Sequence, residues 1–100
     1  MKTYIVQTLG GRRDRLRIMA EILQITKERQ LKTRIMYSVN LSFSQINEYL
    51  SFLTEMRFLR VNVDNKKKSY ETTTKGYSYI DNYLEMTSLL RPQELQVPSV

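Results

Sequence analysis

The chain has 100 residues, of which 41% are hydrophobic, and a net charge of +6. This length predicts a single domain with a small core. The absence of cysteine and histidine excludes disulfides, thiol chemistry, the commonest general base and the best transition-metal ligands. We therefore expect no enzyme activity, no cofactor, no metal site and no small-molecule substrate. No run approaches the roughly 18 apolar residues of a membrane helix, and no signal peptide is evident, so we expect a cytoplasmic protein without membrane contact.

The positive charge lies in two blocks of the sequence. Residues 1–34 carry a net charge of +6 and residues 57–75 a net charge of +4. The segments between and after them, 35–56 and 76–100, each carry −2. A basic protein with clustered cations favours a polyanionic partner, usually nucleic acid.

The N-terminal part predicts an extended arm followed by a helix. Residues 1–10 contain a β-branched and aromatic run that favours a short strand, and two glycines then interrupt it. Residues 12–29 have the apolar periodicity of a helix, with Leu16, Met19 and Leu23 on one face. Arg12 and Arg13 crowd the start of this helix, where cations oppose the helix dipole. They indicate contact with phosphates or with a dimer partner; a solvated basic face is the alternative.

The next segment predicts a helix-turn-helix. A short helix, Lys32–Val39, is followed by a turn at Asn40 and Leu41. Ser42 and Gln45 then have the spacing of a capping box, which starts a helix from Phe43 to Met56. Its apolar stripe, expected to face the core, consists of Phe43, Ile46, Leu50 and Leu53.

A β-hairpin follows the two helices. Residues 58–64 and 69–73 alternate between apolar and polar side chains, and the residues between them, from Asp64 to Lys68, predict the turn. A helix-turn-helix followed by a hairpin is a winged helix. The predicted fold class is therefore mainly α with a small antiparallel β-hairpin (α+β), a winged helix-turn-helix with a long C-terminal helix.

The winged-helix prediction implies contacts with duplex DNA. The second helix of a helix-turn-helix lies in the major groove, where Gln and Asn can pair with adenine and Glu can accept from cytosine. The lysine-rich hairpin would reach backbone phosphates. The expected DNA-contacting residues are Arg12, Arg13, Lys32, Thr33, Arg34, Ser42, Ser44, Gln45, Asn47, Glu48, Arg60, Lys66, Lys67 and Lys68. The alternatives are a solvated polar helix face and a charged turn that prevents strand aggregation.

The last helix is predicted from Lys75 to Leu90, with Thr74 as its cap. Its apolar residues follow a 3-4-3 spacing typical of a coiled-coil seam. About 16 helical residues are roughly 24 Å long, so the far half would extend beyond so small a domain. We predict a homodimer with an interface formed by Tyr77, Ile80, Tyr83, Leu84 and Thr87. Packing of this stripe on the chain's own core is the alternative.

The pattern from residue 14 to 90 resembles small archaeal winged-helix DNA-binding proteins, above all the 10a class of chromatin-associated proteins from Sulfolobus. The resemblance rests on KTRIMY, NLSF, the pair Tyr49-Leu50 and the step Thr74-Lys75-Gly76, in that order. It implies a homodimer joined by an antiparallel coil of C-terminal helices, with a winged helix at each end that bridges or stiffens DNA. The family usually has a glycine at the end of the groove helix, where this chain has Arg57, so the resemblance predicts either the loss of this left-handed cap or strain there.

These observations predict four segments and one leading function. Residues 1–10 would form an arm, 11–74 a DNA-binding domain, 75–91 a dimerisation helix and 92–100 a tail. The leading function is a nucleoid-associated, dimeric double-stranded DNA-binding protein of the archaeal chromatin type. A sequence-specific transcription regulator is the first alternative. A winged helix that binds proteins is the second, because the groove helix has no basic residue.

Overall fold

The computed structural model describes residues 13–90. Within them four helices and three strands follow in the order α1 (Arg15–Ile25), β1 (Gln30–Leu31), α2 (Lys32–Val39), α3 (Phe43–Glu55), β2 (Leu59–Asp64), β3 (Lys67–Thr72) and α4 (Thr74–Leu89). β2 and β3 form the predicted antiparallel hairpin, and β1 pairs with the other edge of β3. The predicted fold class, a helix-rich winged helix with a small antiparallel sheet, is confirmed.

One apolar core lies between the helices and the inner face of the hairpin. Its most buried large side chains include Ile22, Ile35, Ile46, Leu53 and Ile80, so every helix contributes. This face of the hairpin presents Tyr70 and Thr72, which share one side of β3 as the alternation predicts.

Two apolar residues predicted to face the core are exposed. Leu16 is 47% and Phe43 59% exposed. Both lie in the first turn of their helices, before the stretch that the neighbouring elements cover. The apolar periodicity predicts that both side chains face the core, because it does not show how far along each helix the neighbouring elements extend.

The helix ends correct several predicted boundaries. α1 is shorter than the predicted 12–29, because the Asp14 carboxylate caps it by accepting from the Arg17 backbone N–H (2.8 Å). At its other end the Thr26 hydroxyl donates to the Ile22 carbonyl (2.8 Å). α3 ends at Glu55, with Met56 as its cap. α4 begins one residue earlier than predicted, and Thr73 rather than Thr74 is its N-cap.

The two-residue strand β1 was not predicted. Gln30 pairs with Tyr70 and Leu31 with Ser69. Two residues carry no alternation, so only the tertiary structure defines this strand. The predicted strand within residues 1–10, the tail at 92–100 and Arg12 lie outside the described residues.

Candidate nucleic-acid interface

The outer face of α3 is polar in its N-terminal half. Ser42, Ser44, Gln45 and Glu48 are exposed, and Asn47 is half-buried beside them. The capping box is confirmed: Ser42 Oγ accepts from the Gln45 backbone N–H (3.1 Å), and Gln45 Oε1 accepts from the Ser42 N–H (3.0 Å). The predicted groove-facing residues of α3 therefore lie together on one surface.

A cation from α2 contacts this surface. Lys32 Nζ donates to Asn47 Oδ1 (2.8 Å) and lies 4.7 Å from the centre of the Phe43 ring. The first contact is a hydrogen bond and the second a cation–π interaction, and together they hold the Lys32 ammonium in place. We call Lys32, Phe43 and Asn47 the Lys32 cluster. It gives α3, which has no lysine or arginine, a positive charge at its N-terminal half.

The same hydrogen bonds limit which bases the two amide side chains can recognise. Pairing with adenine through two hydrogen bonds needs both the amide oxygen and the amide nitrogen. Gln45 Oε1 already accepts from the Ser42 backbone, and Asn47 Oδ1 accepts from Lys32. Each amide NH₂ group is left as a donor. Because an amide oxygen has two lone pairs, the adenine pairing expected from the sequence requires each oxygen to accept a second hydrogen bond.

The hairpin turn is tighter than predicted. Asp64 pairs directly with Lys67, so the loop consists only of Asn65 and Lys66. Both have positive φ, 52° and 66°, which gives the primed turn typical of two-residue hairpins. The predicted five-residue turn is wrong: Lys66 lies at the tip, whereas Lys67 and Lys68 belong to β3.

Strand alternation sends Lys67 and Lys68 to opposite faces of the hairpin. Lys68 is on the face of Tyr70 and lines a groove between the hairpin and α3. Lys32 lines the same groove, together with the polar side chains of Asn47, Ser51 and Thr54 and the carboxylate of Glu55. Lys67 instead lines the other face, beside Arg29 and Asp64. The groove between α3 and the hairpin thus contains two lysines from different elements, Lys32 of α2 and Lys68 of β3.

The connection between α3 and β2 fixes the angle of the hairpin. Arg57 has a φ of 68°, and the Phe58 N–H donates to the Leu53 carbonyl (2.9 Å) while the Arg57 N–H donates to the Thr54 carbonyl (3.0 Å). This is the Schellman ending that usually carries glycine. The strain predicted at Arg57 is therefore present in the backbone, because a left-handed residue with a Cβ costs about 1–2 kcal/mol.

The start of α4 holds this connection in place. Thr73 Oγ1 donates to the Arg57 carbonyl (2.7 Å), and Lys75 Nζ donates to the Met56 carbonyl (2.8 Å). At Gly76 a Cβ would lie 2.5 Å from the Phe58 carbonyl oxygen and 2.5 Å from Thr72 Cγ2. The sequence step Thr74-Lys75-Gly76 therefore has a structural reason, because only a glycine permits this approach.

The remaining predicted DNA-contacting residues differ in their partners. Arg13 forms an ion pair with Glu21 and so neutralises a carboxylate of α1. Arg60 forms an ion pair across the hairpin with Glu71, with 3.8 Å between Arg60 Nε and Glu71 Oε1. Thr33 and Arg34 are exposed on α2.

The N-terminal half of α4 packs on the core, whereas the apolar side chains of its C-terminal half are exposed. Ile80 is only 1% exposed and packs within the single chain, which corrects its predicted place in the dimer interface. Tyr79 contacts the Phe58 ring edge-on (5.3 Å between centroids) and stacks with Tyr83 (6.4 Å). Tyr77 and Thr87 are partly accessible, and beyond Tyr83 the apolar side chains are exposed, Leu84 to 49% and Leu89 to 72%.

Within residues 13–90, no helix is both long and apolar enough to cross a membrane. The same part of the chain has no group of three or more acidic, histidine or cysteine side chains placed to hold a metal ion.

Comparison with known proteins agrees with this architecture. Sso10a-2, a DNA-binding protein from Sulfolobus solfataricus, has a TM-score of 0.71 and 24% identity over 87% of this chain and 95% of that one. A winged-helix DNA-binding protein from STIV has a TM-score of 0.61 and 20% identity over 70% of this chain and 83% of that one. At these identities the two structures show the fold, and they confirm the resemblance drawn from the motifs.

The sequence comparisons show the family. The uncharacterized protein MJ0287 of Methanocaldococcus jannaschii is 32% identical over 80 residues, which span 79% of this chain and 78% of that protein. A family model described as winged helix-turn-helix matches residues 12–91. The chain therefore belongs to the winged helix-turn-helix family.

Proposed function

We propose that this protein is a dimeric, non-enzymatic double-stranded DNA-binding protein of the archaeal chromatin type, located in the cytoplasm on the nucleoid. In this proposal α3 enters the major groove and the hairpin contacts the backbone. The observation that carries it is that Lys32 of α2 and Lys68 of β3 line the same groove beside α3. The named neighbours, Sso10a-2 and the STIV protein, are DNA-binding proteins with the same fold.

The charge distribution supports contact mainly with phosphates. Lys66 and Lys68 are exposed at the hairpin, whereas α3 contributes only Glu48 and Glu55 as charged residues. Phosphates attract the exposed cations whatever the base sequence. The polar face of α3 would then fit many sequences, as a packaging protein requires.

A salt series tests this function directly. The wild-type protein should bind a random-sequence duplex of about 30 base pairs, and log affinity should fall by about 0.9 per neutralised phosphate for each tenfold rise in salt. Fluorescence anisotropy at several salt concentrations measures this slope. Binding that is undetectable, or independent of salt, would contradict the proposal.

The proposed dimer rests on the exposed half of α4. Residues 75–91 would form the dimerisation helix, and Tyr77, Tyr83, Leu84 and Thr87 would contact the second copy. An apolar surface of this kind is typical of an interface. Sedimentation equilibrium should give twice the chain mass of 11.9 kDa for the wild type and one chain mass for Leu84→Glu. The matched control is Tyr37→Glu, an exposed site on α2 that should leave the dimer intact.

A sequence-specific regulator is the second candidate. The exposed polar groups at the N-terminal half of α3 favour it, because this is the part of a groove helix that contacts base edges. A footprint confined to a palindromic site would support the regulator, whereas uniform coating that grows with duplex length would support the chromatin protein.

A protein-binding winged helix is the third candidate. Phe52 is 45% exposed and Met56, the C-terminal cap of α3, is 40% exposed, so the C-terminal end of this helix has an apolar surface. Unchanged DNA affinity after charge reversal at Lys66, Lys67 and Lys68 would favour this candidate.

A further inference from the structure

Phe43 is an apolar residue that does not pack into the core. It is the first residue of α3, directly after the cap Ser42, and more than half of it is exposed. The Lys32 ammonium covers one part of the ring, and the Lys32–Asn47 hydrogen bond fixes that ammonium. An aromatic ring is therefore presented in a defined place at the end of α3 that contacts bases in this fold.

The major groove offers one apolar group to such a ring. Base edges there carry hydrogen-bond donors and acceptors, with the exception of the C5-methyl group of thymine. Burying a methyl group against an apolar side chain gains free energy through the hydrophobic effect. The chemistry of Phe43 therefore matches thymine and does not match the polar base edges.

The neighbouring polar groups of α3 cannot supply this apolar contact. The oxygens of Gln45 and Asn47 each already accept one hydrogen bond within the protein, so pairing with adenine through two bonds would use the second lone pair of that oxygen. Glu48 accepts only, and Ser44 accepts or donates at several bases. None of these groups distinguishes thymine from cytosine by an apolar contact.

We infer that Phe43 is a specificity-determining residue that packs on a thymine C5-methyl group, so the protein prefers thymine in the segment that α3 contacts. This inference rests on the proposed DNA-binding function. It predicts a preference that is set by one ring and is separate from the salt-dependent affinity of the hairpin.

Duplexes that differ only in this methyl group test the inference. The probes are two duplexes of about 30 base pairs with the same A·T-rich sequence, one containing thymine and the other deoxyuridine at every such position. The wild type should bind the thymine duplex about fourfold more tightly for each contacted methyl. Phe43→Ala should bind both duplexes equally. Because Phe43 is exposed, this variant should keep the wild-type circular dichroism spectrum.

Phe52→Ala is the matched control, because it removes another exposed phenylalanine from the same helix. It should retain the wild-type ratio between the two duplexes. Equal binding of both duplexes by the wild type, or a ratio that persists in Phe43→Ala, overturns the inference and leaves the DNA-binding function intact. Failure of the wild type to bind either duplex overturns both.

Discussion

The helix α3 and the hairpin present their charge to the shared groove in opposite ways. The hairpin contributes its own cations, Lys66 at the tip and Lys68 on the groove face. α3 has only acidic charges of its own and receives a cation from Lys32 of α2. If the proposed function holds, affinity and selectivity reside in separate elements of one small domain. In the proposed function, the hairpin would supply the salt-dependent attraction, while α3 would place uncharged groups and one aromatic ring at the bases.

Removing the hairpin cations should produce the largest effect. In Lys66→Ala/Lys68→Ala the salt slope should become shallower by about 1.8, since each phosphate contact contributes about 0.9. At 0.1 M salt this corresponds to an affinity loss on the order of 50-fold. Anisotropy titration on a random-sequence duplex measures both quantities. A variant whose slope matches the wild type would show that the hairpin does not contact the backbone.

The close packing of Gly76 on the connection between α3 and the hairpin should contribute to the stability of the fold. Gly76→Ala tests this contribution. The added Cβ meets the Phe58 carbonyl, a backbone atom that cannot rotate away. We expect the overpacking to lower the free energy of unfolding by about 1–3 kcal/mol. The higher helix propensity of alanine should offset part of this loss. Urea denaturation measures it. The matched control, Ser78→Ala on the exposed side of α4, should change stability by a few tenths of a kcal/mol (roughly, from propensity alone). Equal stability of the two variants would contradict the close approach at Gly76.

Removal of the Lys32 ammonium, which contacts α3, should have a smaller effect on the affinity for DNA. Lys32→Met retains most of the apolar stem but removes the ammonium from Asn47 and the Phe43 ring. Affinity at 0.1 M salt should fall about eightfold and the slope should decrease by about 0.9, the values for one phosphate contact. If only the affinity falls and the slope stays the same, Lys32 acts by positioning Asn47 and not through a phosphate.

The smallest effect is expected at Arg57, which connects α3 to the hairpin. Arg57→Gly should raise the free energy of unfolding by up to about 1 kcal/mol, because relief of the left-handed strain exceeds the entropy cost of glycine. Arg57→Ala is its control, since it removes the same charge but keeps the Cβ and thus the strain. Thermal melts of both variants measure the difference. A glycine variant no more stable than the alanine variant would show that Arg57 is not strained.

The sequence predicted those parts of the fold that depend on local chemistry. The capping box at Ser42 and Gln45 was correct because both of its hydrogen bonds lie within four residues. The two-residue strand β1 escaped prediction because it is defined only by its pairing with β3. Phe43 was placed in the core because periodicity does not show where α2 stops covering α3.

The candidate site was predicted in composition more than in arrangement. Lys32, Asn47 and Lys68 were chosen as DNA-contacting residues, and the structure brings them to one groove. Their contacts with one another could not be predicted, because Lys32 and Asn47 are 15 positions apart and meet only through the packing of α2 on α3. Similarly, the distinction between Lys67 and Lys68 depends on a turn of two residues, whereas the sequence pattern predicts a turn of five.

The comparison of Lys67→Ala with Lys68→Ala tests the central claim, that position in the hairpin rather than the number of lysines sets the affinity for DNA. Each variant removes one charge from the same strand, from opposite faces. In a salt series on one random-sequence duplex, Lys68→Ala should lose about eightfold in affinity at 0.1 M salt and about 0.9 in slope. Lys67→Ala should stay close to the wild type in both. Equal losses in the two variants would contradict the account and leave only a diffuse attraction by net charge.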